Sequence, residues 1–135
     1  MFDVIRVADD RLNLTIGGKL DSDEAAQLIA ALFRHSTGIR QGRMLIDIDG
    51  FDLPTFGGLK VELARLPDLW HLSRQFAHAA LLADETWLRG LGNVESKLMP
   101  GLVIKSFRKD QRYHAETWLQ SVMHDAERLI PRNDT

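Results

Sequence analysis

"MLIDIDGFDLPTFGGLK", residues 44–60, reads as a strand that stops at a turn and restarts as a helix, with acidic residues and glycines crowded into the join. The near-continuous apolar run at residues 44–48 has the composition of a strand covered on both faces, which makes it central in its sheet. At the strand-to-helix corner of an open α/β sheet, strand ends and helix N-termini converge with unpaired N–H groups, so ligands and partners gather there.

Working outward, "FDVIRV" and "RLNLTIGG" alternate with period two around "ADDR" and predict an antiparallel hairpin. "LDSDEAAQLIAALFRHSTG" places Ala25, Leu28, Ile29, Leu32 and Phe33 on one helical stripe, with Asp21 or Ser22 as N-cap and Gly38 past the end. From Thr55 to Arg74 the pattern is helical, but Pro67 breaks it into two short helices. "QFAHAALLAD" predicts a fourth strand, Asp84 caps a helix over "ETWLRGLGNVESKLM", and "GLVIKSF" is a fifth strand. Asp110 is expected to cap a last helix whose stripe is Ala115, Trp118, Leu119, Val122, Met123 and Ala126. The order ββαβαβαβα predicts one α/β domain over residues 1–130. Its sheet is mixed and five-stranded, an N-terminal hairpin followed by parallel strands, with about four helices and a polar tail at 131–135.

Composition bounds the function. The chain has 135 residues, 44% of them hydrophobic, enough for a core without staples. With no cysteine there is no disulfide framework, thiolate metal site or thiol nucleophile, and a cytoplasmic setting is expected. The N-terminal stretch "MFDVIRVADDRLNLTI" is not expected to act as a signal peptide, and no apolar window in the sequence approaches roughly 20 residues. The net charge of -2 argues against bulk attraction to nucleic acid. Locally, Lys97, Lys105, Arg108, Lys109 and Arg112 face only Asp110, a run that reads as a solvated edge and helix start.

Four stretches in this order, "LTIGGKLDSDE", "MLIDIDGFDLPTFGGLK", "AHAALLADETWLRGL" and "VIKSFRKDQRYHAETWLQ", together resemble the SpoIIAA-like branch of the STAS superfamily from Leu14 to about Gln120. The resemblance implies a STAS fold and a regulatory role, the founding members being anti-sigma-factor antagonists. In that superfamily a strand ending in Asp leads through a turn to an Asp-Ser pair and a Gly-Leu that begins a helix, and the serine is the phosphorylated switch. Asp47 matches the strand Asp and Gly58-Leu59 the Gly-Leu, so the Asp-Ser pair falls on Thr55-Phe56. Phosphate there would add about -1.5 to -2 charges at a helix N-terminus. Phe56 has no hydroxyl to carry it. Thr55 offers a substitute hydroxyl, although a threonine just before a helix is more simply an N-cap.

Catalytic and metal chemistry find no support in the spacing. Counted from Asp47 as an EF-hand loop, glycine falls at the fourth position and Gly58 at the twelfth, where the loop needs glycine sixth and a glutamate last. The histidines at 35, 71, 78, 114 and 124 form no i, i+4 pair, and Gly57-Gly58 matches no nucleotide fingerprint. No enzyme activity, cofactor or metal is expected.

What remains is apolar surface around the corner: Asp47, Phe51, Leu53, Thr55, Phe56, Gly57, Gly58, Trp70, Trp87 and Leu91 form the expected ligand or partner surface. Two readings follow. One is an interaction module that docks a protein partner and self-associates, as a homodimer, through the middle helices. The other is a carrier or sensor of a hydrophobic, lipid-like molecule with reversible peripheral membrane contact. Within 85–99, Trp87, Leu91, Val94 and Leu98 form an apolar stripe interrupted by Gly90 and Gly92, which lower helix propensity by about 1 kcal/mol each. The glycines fit either close packing against a strand or a lid over the corner.

Overall fold

The alternation in residues 2–17 becomes an antiparallel pair in the computed structural model, β1 (Phe2–Ala8) and β2 (Arg11–Gly17), in register from Phe2 opposite Ile16 to Arg6 opposite Leu12. The structure describes residues 1–18, 21–49, 71–86, 88 and 101–129. β3 (Gly42–Asp49), β4 (Phe76–Ala83) and β5 (Val103–Arg108) follow, each parallel to its predecessor, in the spatial order β1-β2-β3-β4-β5. The apolar run at 44–48 therefore lies on the middle strand of five, as its two-sided hydrophobicity requires.

Helix α1 (Ser22–His35) starts where Asp21, extended and outside the helix, accepts a bond from the Glu24 backbone N–H at 2.7 Å. Asp21 rather than Ser22 is thus the N-cap. At the other end the Arg6 guanidinium donates to the carbonyls of Asp9 (2.6 Å) and Thr37 (2.7 Å), fastening the chain just past α1 to β1. The buried stripe of α1 is Leu28, Ala31 and Leu32, with Phe33 partly buried beside it. Ala31 takes a place in the buried stripe, whereas Ala25 and Ile29, expected there, are only half-buried.

Because side chains alternate across a strand, even-numbered residues of β1, β2 and β3 meet α1 while odd-numbered ones face the other way. Val4, Leu12, Leu14 and Met44 join Leu28, Leu32, Ile39, Leu72 and Phe76 in the first core. On the opposite face Leu45, Ala80, Leu82 and Phe107 pack against Ala115 and Leu119 of the second long helix, α2 (Arg112–Leu129). Burying a leucine contributes about 1.5–3 kcal/mol, so each layer holds its helix to the sheet by many such contacts.

One expectation is corrected at the start of α2. Asp110 does not cap it. A 3-10 turn over Lys109–Gln111 intervenes, with Arg108 as the flanking residue and its backbone N–H donating to the Gln111 side chain at 3.0 Å. Asp110 lies inside the turn and pairs with Arg108 at 3.3 Å. Residues 71–73 and 85, 86 and 88 are helical, while most of the two middle segments, including the stripe at 85–99 and the tail at 131–135, lies outside the described residues.

Candidate functional site

Asp47 stands near the C-terminal end of β3, with Thr15 of β2 on one side and Leu82 of β4 on the other. Being odd-numbered it points to the α2 face, two places beyond buried Leu45. The 3-10 turn after β5 carries the chain back over this end of the sheet. As a result Lys109 Nζ bonds Asp47 Oδ1 and Arg112 Nη1 donates to Oδ2 at 3.2 Å. Asp49, on the same face, lies 3.9 Å from Lys109. Both oxygens of Asp47 are therefore held by cations.

Depth orders the cluster. The Asp47 side chain is 18% exposed, Lys109 above it 37%, and Arg112 54%. This partly sunk carboxylate gives one oxygen to each of two cations and so anchors both at the end of the sheet. Among the described residues no group of three or more His, Asp or Glu side chains is arranged to hold a metal ion.

At the opposite end of the same face, three neighbouring strands bring Arg11, Arg43 and His78 into one row. Arg11 and Arg43 are both buried. Arg11 Nη1 bonds Glu116 of α2 at 2.6 Å, and Arg43 holds both oxygens of Asp10 (3.1 and 3.3 Å) while its Nη1 donates to the Leu119 carbonyl at 3.0 Å. The hydrogen bond from Arg11, with the charges of Arg11, Arg112 and Arg43, keeps the Glu116 carboxyl below the usual carboxylate range in spite of its partial burial. Burial, and secondly the Arg43 charge, lowers the His78 pKa from its ordinary 6.5. The His78 ring meets Trp118 edge-on at 5.7 Å, and Lys105 Nζ lies 5.5 Å from the Phe107 ring and 5.9 Å from that of Trp118. His78 is thus a wall of the core, and this row fastens α2.

Of the expected surface, Asp47 is placed and paired as described. Phe51, Leu53, Thr55, Phe56, Gly57, Gly58, Trp70, Trp87 and Leu91 lie outside the described residues. The basic run needs correction: Lys109 and Arg112 do not face only Asp110, because the fold brings them Asp47, which lies 62 and 65 positions earlier. Their signal in the sequence was the surplus of cations itself, which asks for an acid from elsewhere in the chain.

The profile of the SpoIIAA-like family matches residues 11–120, a span that runs from β2 through the first half of α2 and includes every member of the Asp47 cluster. The chain belongs to the SpoIIAA-like family. Its fold is similar to the crystal structure of an uncharacterized protein of the DUF3478 family, with a SpoIIAA-like fold, from Shewanella loihica PV-4. The two share 23% identity and a TM-score of 0.58 over 88% of this chain and 92% of the other. No curated protein matches the chain. Among the described residues of this SpoIIAA-like protein, no helix is long and apolar enough to cross a membrane.

Proposed function

We propose that this SpoIIAA-like chain is a non-enzymatic regulatory module that docks a protein partner at the end of the sheet where β3 finishes. Phe56 stands where the switch serine of the superfamily is expected. The observation that carries the reading is the Asp47 cluster, in which Lys109 and Arg112 occupy both carboxylate oxygens and stay partly exposed above them. Such a group offers no free base or nucleophile, yet it makes a fixed, solvent-facing charged platform at the corner where α/β sheets receive partners. With phenylalanine at position 56, control by phosphate at that position is replaced by a permanently unphosphorylated state. The carrier reading rests on Trp70, Trp87 and Leu91, all outside the described residues.

The test is site-specific photo-crosslinking in the native cell. A photoreactive residue at Asp49, whose side chain is 68% exposed beside the cluster, should give a discrete protein adduct. The same residue at exposed Arg40, just before the opposite end of β3, should not. No adduct at position 49, or the same adducts from both positions, would sink the reading.

A further inference from the structure

We draw no further inference here: the strongest candidate, the buried polar cluster on the α2 face of β2 where Arg11 Nε and Nη2 and Asn13 Oδ1 have no hydrogen-bond partner, is closed to solvent and already balanced in charge by Glu116, and nothing in the structure shows what ligand would reach it.

Discussion

Asp47 and Lys109, separated by 62 positions, join the end of the middle strand to the turn that opens α2. Arg112 completes the clamp at 3.2 Å. Partly exposed pairs of this kind contribute little individually. Asp47→Ala is therefore expected to lower stability by only about 1 kcal/mol, read as a fall in the urea midpoint at unchanged slope. The difference from the parent should shrink in high salt. A loss several times larger would mean that Asp47 holds more of the fold than its two cations.

The two shifted groups act in adjacent pH windows. His78 has a lowered folded-state pKa, so the protein is indifferent to it well above 6.5 and loses stability as pH falls below that value, where the unfolded chain takes up a proton the folded one resists. Glu116 is lowered from 4.5, so its contribution is present above that pH and disappears as pH falls through the folded value. Thermal melts should be flat from pH 8 to 7, then decline in two stages. His78→Gln should flatten the upper stage only.

Removing Glu116 should cost more than removing Asp47. Arg11 is buried, and its Nε and Nη2 have no hydrogen-bond partner, so the bond from Nη1 to Glu116 carries its charge. Glu116→Ala is expected to destabilise by about 2–3 kcal/mol, the cost of leaving a buried charged donor unpaired. The double replacement Arg11→Met with Glu116→Leu should recover most of that loss in chemical denaturation.

Gly42 opens β3 where no side chain fits. A Cβ there would lie 2.3 Å from Ile39 Cγ2, 3.0 Å from Phe76 Cδ1 and 3.1 Å from the Asp10 carbonyl. Gly42→Ala should destabilise by about 1–3 kcal/mol through overpacking. The companion change Ile39→Ala should restore part of it, as seen in the melting temperature of the double variant.

Intact-mass spectrometry of protein expressed in its native host should show the unphosphorylated chain. Phe56 has no hydroxyl and Thr55 is read as a helix cap. A stoichiometric mass increase mapping to Thr55 would restore a phosphoswitch one position earlier.

The sheet was legible because its code is local. Period-two alternation marked the hairpin, and the near-continuous apolar run of residues 44–48, broken only by Asp47, marked a strand covered on both sides. Asp47 was legible for the same reason, since the end of a central strand can be located from the strand alone. Its partners were not. Lys109 and Arg112 become neighbours of Asp47 only when β5 takes its place beside β4 and the chain turns back, a long-range event that no window of sequence contains. The displaced cap at Asp110 has a similar origin. An Asp before a helical pattern is a sound N-cap signal, but here the Gln111 side chain takes the Arg108 N–H and tightens the chain into a 3-10 turn. The buried arginine row was hidden because residue type alone places arginine at the surface, whereas the alternation of β2 and β3 sends Arg11 and Arg43 beneath α2.

The attachments of α2 also act as an index on its rotation. Leucines and alanines in a helix–sheet layer tolerate a small slide or turn, since one apolar contact replaces another. Directed bonds do not. A helical residue step turns the face by about 100°, and such a slip would carry Arg112 off Asp47, Glu116 off Arg11 and the Leu119 carbonyl off Arg43 at once. Inserting one residue between Arg112 and Glu116 thus sets the two ends of the helix against each other, and no single rotational setting of α2 can satisfy both.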